Sequence, residues 1–140
     1  MKLAWDYIAW DIYECLSASL SGWSVYRAAT TPQVASSGQN CIISSFQSIR
    51  HGSKNTDGED MDVTLDFWFR TRKGGTVATG MRVALDLLDS YTYTRTSTAG
   101  WDVLAGFPRL AFTTILTENI DEGDPIVHGI LRLRYLTHEQ

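Results

Sequence analysis

The sequence is poor in the groups that usually announce chemistry, with two cysteines and three histidines in 140 residues. Cys15 and Cys41 have neither CxxC spacing nor histidines at zinc-ligand spacing, so two buried free thiols are expected. His51, His128 and His138 fall in an expected loop, a strand and the tail, and build no triad or metal set. Lys73-Gly74-Gly75 has the glycines of a phosphate loop but not the G-x-x-x-x-G-K-[ST] spacing. Nothing matches G-x-S-x-G, H-E-x-x-H or a calcium loop. No apolar run approaches the ~20 residues that cross a bilayer. No apolar h-region follows the N-terminus, so a soluble chain made in a reducing cytoplasm is expected. A dominant charge is lacking too. The net charge of −4 is spread among interspersed acids and bases, which argues against a protein that grips nucleic acid. An enzyme is therefore the weaker reading, and no cofactor or metal is expected.

What is present is hydrophobic pattern. The apolar fraction of 44% is ordinary for a globular protein, and no low-complexity tract interrupts it. One domain spanning residues 1–140 is expected. Met61 to Arg72 reads M-D-V-T-L-D-F-W-F-R-T-R. Met61, Val63, Leu65, Phe67 and Phe69 fall on one face; Asp62, Thr64, Asp66, Trp68 and Arg70 fall on the other. This period of two marks the central strand of a sheet with one buried face. Its charged face meets water, a lumen or a partner rather than a second core layer.

Residues 3–20 place Trp5, Ile8, Ile12, Cys15, Leu16 and Leu20 on one helical stripe, with Gly22 as its stop. Tyr7, Trp10 and Tyr13 widen that face, as part of a broad core or as a subunit contact. Trp23–Arg27 reads as a short strand and 28–39 as a turn-rich loop. Cys41–Ile49 is a second strand, with Cys41, Ile43, Ser45, Gln47 and Ile49 expected on one face. His51 to Asp60 is small and polar, and is expected to be a long hairpin loop. From Thr76 to about Ser90 the period turns helical, through Val77, Met81, Ala84, Leu85 and Leu88. Between Tyr91 and Phe107 a short hairpin around Thr98-Ala99-Gly100 is one option. Arg109–Leu116 and Ile126–Thr137 return to strand, separated by an acidic turn. The expected fold class is α+β, a mostly antiparallel sheet with two amphipathic helices packed on one face, in the order α-β-β-β-α-β-β.

Two clusters invite a binding role. Asp57, Glu59, Asp60 and Asp62 lack the ligand spacing of a cation site and read better as a solvated loop. Arg70, Arg72, Lys73, Arg132 and Arg134 suggest a basic strip, which outward Asp62 and Asp66 would neutralise if the strands are neighbours.

The order of elements and four segments carry a resemblance. They are Asp62–Arg70 (D-V-T-L-D-F-W-F-R), Ala84–Asp89 (A-L-D-L-L-D), the late acidic turn, and the closing D-P-I-V-H-G-I-L-R-L-R from Asp124. Together with the amphipathic N-terminal helix, they resemble the tail-terminator, or tail-completion, proteins of long-tailed double-stranded DNA phages and related gene transfer agents. The resemblance spans nearly the whole chain and includes no catalytic motif. It implies a virion protein of the tail and neck. Such a subunit would join a six-membered homo-oligomeric ring on the head-proximal end of the tail tube, stopping its growth. Its partners would be the tail-tube protein and a neck or head-completion protein, and DNA would pass through the lumen without specific binding. On that reading Tyr7, Trp10 and Tyr13 are candidates for subunit packing. Trp68 is a further one, unless the segment near Trp101 covers it. The loop residues His51, Lys54, Asn55, Asp57, Glu59 and Asp60 are candidates for contact with the tube or neck. Alternatives are a stopper or adaptor ring, a tail-tube subunit, or a small-molecule-binding or enzymatic α+β domain with an apolar pocket.

Overall fold

The alternating stretch becomes the middle of a sheet in the computed structural model, which describes residues 3–27, 38–52, 57–70, 74–118 and 125–140. The elements follow as α1 (Ala4–Ser19), β1 (Ser24–Arg27), β2 (Gln39–Gly52), β3 (Asp57–Arg70), α2 (Gly74–Asp89), α3 (Thr94–Thr98), β4 (Trp101–Val103), β5 (Arg109–Glu118) and β6 (Ile126–Glu139). The order α-β-β-β-α-β-β is as expected, with a short helix and a three-residue strand added between α2 and β5. The hairpin option around Thr98-Ala99-Gly100 gives way to a helix end. There Gly100, at φ 98°, turns the chain into β4.

β3 pairs antiparallel with β2 on one side and with β6 on the other. β1 joins β2 in parallel, while β4 and β5 share the far edge of β6. Met61, Val63, Leu65 and Phe67 are buried, and across the ladder Tyr135, Leu133 and Leu131 stand opposite the first three. Onto this face α1 lays Ile8, Ile12, Cys15 and Leu16, and α2 lays Val77, Met81, Ala84 and Leu88. The fold is α+β, with a mostly antiparallel sheet and two amphipathic helices on one face.

Two glycines let α2 come close. A Cβ on Gly129 would stand 2.5 Å from Met81 Sδ and 2.6 Å from Val77 Cγ1. One on Gly80 would stand 2.6 Å from the Trp23 ring, which itself meets Phe67 edge-on at 5.3 Å. The far end of α2 is held by hydroxyls. The buried Tyr93 hydroxyl donates to the Leu88 carbonyl at 2.7 Å, so Tyr135 must donate to Tyr93 across their 2.7 Å contact. One carbonyl of the last helical turn is thereby satisfied.

In two places the structure corrects the sequence expectation. In β2 the register shifts between Ile43 and Ser45, so Ser44 is an extra residue in the ladder. Phe46 therefore joins Cys41 and Ile43 on the helix side, opposite Val63, while Ser45, Gln47 and Ile49 face outward. Period two cannot survive an inserted residue. The second correction is the loop from His51 to Asp60, which is mostly strand: Gly52 pairs with Asp57. Lys54 and Asn55 lie outside the described residues, and His51 is within β2. His138 is likewise within β6 rather than in a tail.

Glu59 is fully buried and cannot be a contact for a tube or neck. Its Oε2 accepts from the Ala4 amide at 2.6 Å, and its Oε1 from the Ser48 hydroxyl at 2.7 Å. It thus takes the place of an N-cap on α1, whose own cap residue, Leu3, has no side-chain acceptor. The positive end of the helix favours a carboxyl group there. Glu59→Ala should cost about 1–3 kcal/mol, since it leaves a helix amide and a hydroxyl unpaired; urea unfolding would measure it. Gly129→Ala should cost about 1–3 kcal/mol through overpacking, and Gly129→Val more, because Val77 is branched and cannot yield as Met81 can. A lowered thermal midpoint in that order would check it.

Candidate assembly surface

With both helices on one side, the other side of the sheet is an open face. Among the described residues no helix covers it. Opposite residues of neighbouring antiparallel strands share a face. The outward set therefore runs from Asp62, Thr64, Asp66 and Trp68 of β3 to Arg134, Arg132, Ile130 and His128 of β6. On β5 it continues through Phe112, Thr114 and Leu116.

Two acids of this face are engaged across the β3–β6 ladder. Arg134 grips Asp60 through two hydrogen bonds, at 2.8 and 2.5 Å. Both side chains are partly exposed, so this is a tether between strands more than a large source of stability. His128 Nε2 meets Asp66 Oδ1 at 2.6 Å, and the imidazole stacks flat on Trp68, with ring centroids 3.6 Å apart. The Asp66 side chain is mostly covered. Burial pushes its pKa up, but hydrogen bonds from His128 and Ser44, with the attraction of His128, outweigh it and leave the pKa below its ordinary value. An ionised Asp66 must accept, so Nε2 carries the proton. The Ser44 hydroxyl lies between this carboxylate and the Thr64 carbonyl, so the bulge in β2 completes the cluster.

Trp68 is half-buried, and what covers it is His128. The segment near Trp101 does not reach it: Trp101 pairs with Glu139, at the other end of β6 from His128. The three aromatics of α1 separate. Tyr7 and Tyr13 pack partly buried against the core, while Trp10 keeps one side open. The Trp10 ring lies under the Arg27 guanidinium at 3.8 Å, with Arg95 at 5.2 Å. Arg27 also faces Asp6 at 3.7 Å, and Arg95 binds Glu14 at 2.5 Å. Asp11 pins the same corner. It is buried and accepts from the Arg95 and Thr96 amides and the Thr96 hydroxyl, capping α3. Of the hairpin acids, Asp57 lies 3.7 Å from Arg50.

Sequence reasoning placed a strand at Arg109–Leu116 but missed that β5 exposes apolar groups on both faces. Leu110 and Ile115 stand on the helix side, opposite Leu133 and Gly129, and Phe112 and Leu116 stand on the open side. A register shift between Leu110 and Phe112 produces this split. All four are 41–50% exposed. The signal was available in R-L-A-F-T-T-I-L-T, an apolar run on both parities whose only charge is Arg109.

Neither cysteine is poised for chemistry. Burial and then the Asp11 charge push Cys15 up to about 11, and burial raises Cys41 further. Among the described residues no three His, Cys, Asp or Glu side chains are grouped to hold a metal, and no helix is long and apolar enough to cross a membrane.

No family model matches this chain, and no curated protein matches it. Among solved structures, the fold is similar to that of a chain in the "Virion of native gene transfer agent (GTA) particle". The likeness covers 99% of both chains, with a TM-score of 0.63 and 16% identity. What the two share is a fold.

Because the Asp66 pKa is lowered in the folded state, its contribution is present above the unfolded value, near pH 4, and is lost as pH falls through the folded value. Asp66→Asn should cost about 1.5–3 kcal/mol at pH 7 and make the loss of stability on acidification below about pH 5 shallower. Urea unfolding across that range would check both.

Proposed function

We propose that this chain is a structural subunit of a phage-like virion, and more narrowly a tail-terminator subunit. In that role copies form a ring on the head-proximal end of the tail tube, stop its polymerisation, and join it to the capsid neck. The observation that carries the reading is the full-length likeness in fold to a chain of a gene transfer agent particle. The one-sided sheet supports it, since an open face with two acids tied across its strands and an apolar edge suits assembly better than catalysis. A hexamer is the proposed ring, with the tail-tube protein and a neck or head-completion protein as partners. DNA would pass through the lumen without specific binding. The negative balance, and the engagement of Arg134 by Asp60, fit a surface that does not neutralise phosphates.

The hairpin end between β2 and β3 is the proposed contact with tube or neck, through Asp57 and the 53–56 segment with Lys54 and Asn55. Trp10 remains the subunit-packing candidate from α1 with the most open surface. Tyr7, Tyr13 and Trp68 would contribute through the sides that the core and His128 leave free.

The test is to mix the purified protein with the tail-tube protein of the same particle and image the product by negative stain. Caps at one tube end and an end to tube growth are expected. Rings that ignore tubes would replace the reading with a stopper or adaptor, and long cylinders of this chain alone would replace it with a tube subunit. Replacing residues 53–56 by Asn-Gly should leave the fold intact and abolish capping. Unchanged capping would remove the hairpin assignment.

A further inference from the structure

The sheet ends in two edges that, among the described residues, pair with no further strand: β1, with β2 beyond Ile43, on one side, and β5, with the short β4, on the other. An unpaired edge presents a row of amide and carbonyl groups ready for another strand, and proteins that keep such edges single usually charge, shorten or cover them. β5 is ten residues long, and Arg109 is the only charge between its start and Thr117. It exposes Leu110 (50%) and Ile115 (41%) on the helix side, and Phe112 (47%) and Leu116 (47%) on the open side. An edge apolar on both faces needs a partner that supplies a strand with cover above and below it.

We infer that this partner is a second copy of the chain, whose β1 edge adds antiparallel to β5. The inference rests on the ring reading above and says how the ring would be joined. Strand direction is the first argument. β2 and β6 both run against β3 and hence with each other; β1 runs with β2, and β5 against β6. The two edges thus carry strands of opposite direction. A copy placed alongside without being turned over brings its β1 antiparallel to β5, and keeps all helices on one side.

The second argument is the match of faces. On the open side the β1 edge offers Tyr26, 41% exposed, to Phe112 and Leu116. On the helix side α1 overhangs β1 and offers Trp10, 37% exposed and held there under Arg27, to Leu110 and Ile115. Each edge thus offers exposed apolar groups on both faces for the other to cover. A joint between two different edges is heterologous, so it repeats from copy to copy, and it closes into a ring when the rotation between copies divides a full turn. A β5-to-β5 dimer would leave Tyr26 and Trp10 bare.

Sedimentation of the chain from micromolar to millimolar concentration tests the joint, using Leu116→Glu and Tyr26→Glu. Both residues are exposed, and unchanged circular dichroism would confirm folding. Wild type should self-associate into species larger than a dimer, and each variant alone should weaken this about 10-fold or more. Each variant keeps one sound edge, so an equal mixture should form a 1:1 dimer that neither forms alone. A wild type that stays monomeric would overturn the joint, as would a Tyr26→Glu variant that associates like wild type, since a β5-to-β5 contact does not involve Tyr26. The capping assay decides the ring reading separately: rings or caps that survive both substitutions would sink this joint and leave that reading standing.

Discussion

The pairing of β3 along both of its sides, with cover on only one of its faces, constrains nearly everything else in the molecule. Its apolar parity, Met61 to Phe67, fixes which face the helices occupy, because a one-residue slip would bring Asp62 and Asp66 into the core. Its first residues reach back to the start of the chain through Glu59 and the Ala4 amide. Helix α1 is thus positioned by the strand it covers as well as by its own stripe. Gly129, on the neighbouring strand, sets how near α2 can lie.

The same arrangement leaves the outward parity to be stabilised without a core. Lateral ties within the sheet meet that need: Asp60 with Arg134, Asp66 with His128, and His128 flat on Trp68. Each joins β3 to β6. The open face is therefore ordered along its middle, and Tyr26 and Phe112 stand exposed on its edge strands. Interfaces commonly place their apolar core within a polar surround.

Much of this architecture was legible in the sequence, because the features that set it are periodic. The stripes of α1 and α2, the two faces of β3 and the alternation of Leu131, Leu133 and Tyr135 all follow from spacing. What was illegible depends on single residues or on distant partners. Ser44 inserts itself into β2 and reverses the faces that follow, and nothing in its neighbours announces a bulge. Glu59 looked like one more acid in a polar run, because its partner lies 55 residues away in sequence. Asp11 is a lone acid off the apolar stripe of α1, yet it caps a helix more than eighty positions later. For the assembly surface, the aromatics of α1 and Trp68 were singled out from type alone. Their separation into core-packed Tyr7 and Tyr13, ring-covered Trp68 and open Trp10 required the fold.

The placement of β6 bears on when the molecule becomes itself during synthesis. β6 is made last of the six strands, yet it sits inside the sheet, joining β3 to β4 and β5 and supplying Tyr135 to the hydroxyl chain at the end of α2. Its ladder with β3 spans sequence separations from 56 to 80 residues, between Ile126 and Arg70 at one end and His138 and Gly58 at the other. Contacts of such range form late and slowly. Before β6 arrives, α1, β1, β2 and β3 form an incomplete layer, and neither β4 nor β5 has a strand to lie against. A subunit wired this way has no finished β5 edge to offer until its final strand is in place, so maturation of the single chain comes before any association through β5.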